Sequence, residues 1–293
     1  IFASINIEDS NDEIGFDTGF KVELPSNTKI DLSKIFASIN SDILIPFETT
    51  SKLLTFNGSY KINGNLGITK NTILPDGFKY LNFHVYGPGG DGKTPSNNSG
   101  YSYGGGGSGA YVEATNIPFS SDSYGKVIKV EYQLAASDSP CIVTITFEKG
   151  HIIRLYAGSG VTTKWENDIE KRREGGNGGT ASIGGLYGIN IPHKTINGAK
   201  GGDYNQNGNS NGYTSSGSGW NGSVPAGNPP SVTNTITTPD GNEYTIYSQG
   251  GGDNTIVGGY GAGGAATPAS HMKNAPAHRA GSNGCILFYL SRY

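Results

Sequence analysis

Sulfur is scarce in this chain of 293 residues, which holds two cysteines and one methionine. Two cysteines cannot build the dense disulfide framework of a small secreted scaffold or a four-cysteine zinc site. Cys141 and Cys285 both sit in apolar strand-like runs, CIVTITF and CILFYL. They are either two buried free thiols or one disulfide joining two strands. Charged residues make up 15 % and apolar residues 34 %, both low for a globular protein. Low charge argues against simple disorder, which goes with high net charge. The formal net charge is −3, and the basic residues are dispersed apart from Lys171-Arg172-Arg173, so no nucleic-acid partner is expected. No apolar run approaches the roughly 18 residues of a membrane-spanning helix, so no span is expected and a soluble chain is predicted.

Chemistry-bearing motifs are equally thin. The five histidines, His84, His151, His193, His271 and His278, show no H-x-H or H-E-x-x-H spacing. His84 and His151 fall at strand positions with alternating neighbours, which predicts outward, solvated imidazoles. There is no G-x-S-x-G elbow, no cysteine lies beside a candidate base, and nothing in the spacing of the 24 acidic residues marks a catalytic pair. No metal, no cofactor and no enzymatic activity are expected.

What the chain has in excess is glycine: 47 residues, more than twice the usual share of about 7 %. They cluster at 87–92 (GPGGDG), 104–109 (GGGGSG), 175–179 (GGNGG), 250–252 and 258–264 (GGYGAGG). Glycine loses the most backbone entropy on folding and adds nothing to a core. A folded chain therefore carries such clusters where backbones pack closely or turn sharply. The stretch GPGGDGKT at 87–94 matches the nucleotide-binding loop G-x-x-x-x-G-K-T letter for letter. That loop needs a helix directly after it, because the helix N-terminus supplies part of the anion site. Here PSNNSGYSYGGGG follows, so the stretch reads as a glycine-rich loop.

The chain reads as two regions, 1–70 and 71–293. In the first, IFASIN occurs at 1–6 and again at 35–40, and FDTGFKV at 16–22 is echoed by FNGSYKI at 56–62. Positions 1–6 thus read as the tail of a preceding unit. Each unit is a short strand, a turn and a short helix, with Asp31 as the N-cap of LSKIFASI. Leu32, Ile35, Phe36 and Ile39 then share one helix face, which must stack on neighbouring units or another copy. The region reads as a repeat stalk or tether.

From residue 71 strands alternate with turn signals. In FKYLNFHVY, Leu81, Phe83 and Val85 oppose Asn82, His84 and Tyr86; in KVIKVEYQL, Ile128, Val130, Tyr132 and Leu134 oppose Lys129, Glu131 and Gln133. In CIVTITF, Cys141, Val143, Ile145 and Phe147 share a face. Lys149-Gly150 and Pro239-Asp240-Gly241 mark hairpin turns, and CILFYLSRY is a final strand. KWENDIEKRRE at 164–174 lacks an apolar face and reads as a solvated loop.

The segments FHVYGPGG, GGGGSGAYVEATNIPF, VTITFEKGHIIRLYAGSG and GGYGAGGA with GSNGCILFYL resemble, in order and texture, glycine-rich β domains. These occur in phage and large-virus tail-fibre or spike proteins and in the glycine-rich domain of the anaplastic lymphoma kinase receptor. The resemblance covers about residues 73–293. It implies an antiparallel β-sandwich with long glycine-rich loops packed as polyglycine helices. The repeats at 1–62 are similar to short repeats of large-virus and phage structural proteins. Together these imply a non-catalytic virion-surface protein (fibre, spike or minor capsid component), homo-oligomeric, partnered by capsid or fibre proteins and by a host-surface glycan or receptor. An extracellular adhesion or ligand-binding module is the second reading, and a polysaccharide-active surface enzyme the third.

Of 17 tyrosines and two tryptophans, Tyr101, Tyr103, Tyr204, Tyr213 and Tyr260 lie in or beside glycine clusters, and Trp165 and Trp220 in polar segments. Amphipathic rings on a rigid polar scaffold suit glycan or protein contact; the alternative is that they cap the loops as a local core. Asn57, Asn97 and Asn221 begin N-x-S/T sequons, which matter only in a glycosylating compartment.

Overall fold

The computed structural model describes residues 13–16, 20–23, 44–56, 61–92, 104–136, 138–163, 174–201, 231–249, 260–261, 263 and 281–293. Its strands in chain order are β1 (Glu13–Phe16), β2 (Phe20–Glu23), β3 (Ile45–Pro46), β4 (Ser51–Thr55), β5 (Lys61–Asn65), β6 (Thr72–Ile73), β7 (Tyr80–Tyr86), β8 (Tyr111–Pro118) and β9 (Ser120–Ser121). They continue with β10 (Gly125–Ala135), β11 (Cys141–Phe147), β12 (Ile152–Ala157), β13 (Ala181–Gly184), β14 (His193–Ile196), β15 (Ser231–Thr237), β16 (Glu243–Gln249) and β17 (Cys285–Ser291). No helix occurs among the described residues. The expected LSKIFASI helix, with Leu32, Ile35, Phe36 and Ile39, lies outside them.

Alternating apolar residues make β11 a strand with one dry face: Cys141, Val143, Ile145 and Phe147 are buried, and the residues between them half-buried. β11 sits within a six-stranded antiparallel sheet of order β13-β12-β11-β10-β5, with β9 beside the start of β10. A five-stranded antiparallel sheet runs β14-β8-β7-β17-β4. One hydrophobic cluster draws on both sheets, with Val143, Ile145 and Leu155 from the first and Leu81, Phe83, Val112 and Phe288 from the second. Phe288 meets Phe83 at 5.3 Å and Phe47 edge-on at 5.9 Å between ring centroids. Each such ring buried stabilises by about 1.5–3 kcal/mol.

The hairpins form where the turn chemistry puts them. Gly150 (φ 84) turns β11 into β12, and Gly241 (φ 84) turns β15 into β16. In β10 the expected alternation breaks, because the register shifts between Val127 and Lys129. Val127 and Val130 are buried and Ile128 only half-buried, as an extra residue in one strand moves the apolar set by one position.

β7 departs further from expectation, since every residue from Leu81 to Tyr86 is buried. Its second face is covered by a smaller cluster in which Tyr86, Tyr111, Cys285 and Leu287 meet Ile236 and Ile246 of the β15–β16 hairpin. His84 is therefore 6 % exposed rather than solvated. His151 is half-buried rather than outward, with its ring 4.1 Å from that of Tyr124 and Nε2 2.6 Å from the Gly185 carbonyl. Both cysteines are buried free thiols, the first of the two readings.

The hairpin is fixed to β4 by polar contacts. Asp240 accepts hydrogen bonds from Thr50 (2.7 Å) and Ser51 (2.8 Å), and also from Thr238. At the other end of β7, Asn82 accepts from the Asn116 N–H (2.8 Å) and donates to Ser291 (3.0 Å). That bond holds Asn116 in the left-handed region (φ 56).

The chain divides into compact units after Leu44, not near residue 70. The cause is strand pairing: β4 bonds to β17 and β5 to β10, so residues assigned to the stalk complete the two sheets. In the unit 1–44, β1 and β2 form an antiparallel hairpin with Glu13 opposite Glu23.

Candidate functional site

Glycine-rich segments extend from one set of strand ends. Residues 87–92 continue β7, 158–163 continue β12 and 197–201 continue β14; 104–110 lead into β8, 174–180 into β13 and 281–284 into β17. None forms a strand, yet their main chains bond to one another at every third residue. Gly87 and Gly90 donate to the carbonyls of Ala110 and Gly107 (2.8 and 2.9 Å). Gly107 and Ala110 donate to Val161 and Gly158 (3.2 and 2.9 Å). Gly176 and Gly179 donate to Gly105 and Ser108 (both 2.8 Å), and Gly198 and Gly201 to Gly179 and Gly176 (both 2.8 Å). Gly160 and Thr163 donate to Pro88 and Asp91 (2.8 and 3.1 Å), and Gly109 donates to Gly261 (2.7 Å).

A segment that is neither helix nor strand must find partners for its main-chain groups outside itself. Here the partners are neighbouring segments, with 104–110 buried among the others. Contact at this range requires that no Cβ intervene. A methyl built on Gly87, Gly90, Gly106, Gly107, Gly109, Gly160, Gly176, Gly179, Gly198 or Gly201 would stand under 3.0 Å from main-chain atoms of a neighbouring segment. One row of positions in segment 174–180 faces water: Glu174, Asn177 and Thr180 are exposed, again three residues apart.

Polar side chains also join the array. The Ser108 hydroxyl accepts from the Ala199 N–H (2.7 Å), and Asp91 accepts from the Gly281 N–H (2.6 Å). Burial raises the Asp91 carboxyl above its ordinary range, against the pull of the Gly281 bond.

The stretch 87–92 that mimics a nucleotide loop is thus the first of these segments, with the N–H groups of Gly87, Gly89 and Gly90 given to carbonyls of other segments and that of Asp91 to the Thr162 hydroxyl. Of the expected contact residues, Tyr260 is described. It is half-buried and packs beside Tyr86, Tyr111, Cys285 and Leu287, as the local-core alternative has it. Tyr101, Tyr103, Trp165, Tyr204, Tyr213 and Trp220 lie outside the described residues, as do the stretch 164–173 and the sequon asparagines. The described residues that flank these tyrosines and tryptophans are Gly92 and Gly104, Thr163 and Glu174, and Gly201 and Ser231; all but Ser231, which opens β15, are ends of the array's segments.

Sequence reading missed one constellation, on the second face of the five-stranded sheet. Tyr111 donates to Glu113 (2.8 Å), and its oxygen lies 2.8 Å from His84 Nδ1. The hydroxyl has one hydrogen, so Nδ1 must be the protonated nitrogen and Nε2 the bare one. Nε2 is buried and has no hydrogen-bond partner among the described residues. Burial lowers the His84 pKa to about 4, partly opposed by Glu113. Burial, with Tyr86 and Glu113 adding to it, pushes the Tyr111 hydroxyl far above its usual value. Burial likewise pushes the Cys141 thiol up to about 12. These shifts run opposite to those that activate a nucleophile. The signal available in the sequence was the alternating row of Tyr86, His84, Tyr111 and Glu113 itself, but alternation does not say that a second layer covers it.

No protein-family model matches the chain, and no curated protein matches its sequence.

Proposed function

We propose that this chain is a non-catalytic structural module of a virion surface, a fibre, spike or minor capsid component, that carries attachment or surface-assembly loops on a rigid end. In this reading the two sheets form a β-sandwich, and the glycine segments are a bundle of polyglycine-type helices standing on its end. The observation that carries it is the three-residue hydrogen-bond step between segments whose contact faces are glycine. Such a bundle has no flexible side chains in its interior and no room for a substrate. In this reading it is a bracket for the stretches of chain that join or continue its segments, 93–103, 164–173 and 202–230, which contain Tyr101, Tyr103, Trp165, Tyr204, Tyr213 and Trp220. The sealed His84–Tyr111–Glu113 row and the inert thiols favour a structural role over an enzymatic one.

The test is to label intact particles from the source with an antibody to this chain, alongside mass spectrometry of the particles and the oligomeric state of the purified protein. Labelling at discrete points on particles, with an oligomeric and protease-resistant protein, is the expected result. Absence from particles with the protein found on a cell surface would replace this reading with the adhesion module.

A further inference from the structure

The face of the six-stranded sheet turned away from the core carries a second feature. Strand register sets Asn65, Glu131, Thr144 and Arg154 in one cross-strand row, and Asn63, Gln133, Ile142 and Tyr156 in the next. Adjacent strands are about 4.8 Å apart, so Glu131 and Arg154 rise roughly 10 Å from one another with the short Thr144 between them. The result is a groove of about 300 Å³ whose lining includes Asn63, Glu131, Gln133, Ile142, Thr144 and Arg154. Ligand sites span roughly 300–1,000 Å³, so this one has room for a single ring.

Its charges are not balanced. Glu131 is neutralised by Lys129 at 2.7 Å. Arg154 has no carboxylate partner among the described residues, and its guanidinium stands 6.0 Å from the Tyr156 ring centroid. Gln133 donates to the Pro140 carbonyl (2.7 Å), which fixes the amide and leaves its own oxygen to accept. An unpaired guanidinium selects a carboxylate, which it can grip with two parallel hydrogen bonds. Amides and a carboxylate on the opposite wall, with the Thr144 hydroxyl between, suit adjacent hydroxyl groups, and the Ile142 side chain offers an apolar patch to a ring face. A neutral sugar would leave Arg154 unused, and a simple carboxylate would leave Asn63, Glu131 and Gln133 unused.

We propose that this groove binds one ring of an acidic saccharide, a sugar bearing both a carboxylate and vicinal hydroxyls. The site lies on the sheet, apart from the glycine array, and is tested on the purified chain without reference to particles. Ligand-detected saturation-transfer NMR on the full chain, with sodium glucuronate and sodium N-acetylneuraminate as probes and glucose and sodium acetate as controls, reads it at any oligomeric size. Saturable binding of at least one acidic sugar is expected, about tenfold or more tighter than either control. Arg154→Ala should weaken it by a similar factor, Arg154→Lys less, and Arg292→Ala not at all. Arg154 is exposed, so its loss leaves the fold standing, which the circular dichroism of the variant checks. No saturable binding of either acidic sugar, equal binding of acetate or glucose, or unchanged binding by Arg154→Ala would each overturn the assignment.

Discussion

Replacing Gly107 by alanine is expected to destabilise the protein by about 3 kcal/mol, and the figure can be worked from the contacts. Gly107 accepts from Gly90 (2.9 Å) and donates to Val161 (3.2 Å), so its main chain is held from both sides. A methyl at this position would stand under 3.0 Å from main-chain atoms of Asn177 and Gly176. Segment 174–180 cannot retreat freely, because Gly176 donates to Gly105 and Asn177 accepts from Val161 (both 2.8 Å). Overpacking costs about 1–3 kcal/mol, and each strained backbone bond adds about 0.5–1.5 kcal/mol. For a unit of this size about 3 kcal/mol lowers the unfolding midpoint by roughly 6–12 °C. Gly184→Ala is the control, since a methyl there meets nothing within 4 Å, and it should be neutral or stabilise by about 0.5 kcal/mol. Thermal and urea unfolding of the two variants decide the matter. If Gly107→Ala costs no more than Gly184→Ala, close backbone packing does not hold the array together.

Further outcomes follow from the same structure. His84 has a folded pKa of about 4 against 6.5 when free, so the unfolded chain binds more protons between those values. Stability present above pH 6.5 is lost as pH falls towards 4, by an amount of order 3 kcal/mol, and His84→Phe should flatten that slope in urea titrations across this range. Burial pushes Asp240 up, but bonds from Thr238, Thr50, Ser51 and the Asn242 N–H outweigh it and hold the carboxyl well below its ordinary range. Its contribution is present above the usual carboxylate pKa and vanishes in acid, so Asp240→Ala should expose the β15–β16 hairpin to limited proteolysis at neutral pH, with a global cost of about 1 kcal/mol. Cys141 and Cys285 should both resist a thiol reagent at pH 8 in the native protein and react together once urea unfolds it; fast reaction of either in the native state would contradict their burial.

Legibility in the sequence followed the range of the interaction. CIVTITF announced its dry face, and PDG and KG announced their hairpins, because alternation and turn chemistry act between near neighbours. The extra residue at Val127–Lys129 was hidden, since a bulge is visible only against its partner strand. His84 was misread for a related reason: Ile236 and Ile246, which help bury its face, lie far along the chain. The glycine clusters were legible as close-packing elements, but which segment bonds to which was not. Asn177, Val161, Ala199 and Ser282 interrupt the glycines, and their main chains bond within the array all the same. The sheet groove left no motif, because Glu131, Thr144 and Arg154 become neighbours only through register.

The glycine array also bears on how stability varies with temperature. Unfolding an apolar core raises the heat capacity, by about 0.45 cal/K/mol per Å², whereas exposing peptide groups lowers it by about 0.26. The segments 87–92, 104–110, 158–163 and 174–180 release mostly peptide surface, so they subtract from the heat-capacity change that the sheets contribute. A smaller heat-capacity change flattens the dome of free energy against temperature. The array's cohesion therefore fades less on cooling than that of the apolar clusters.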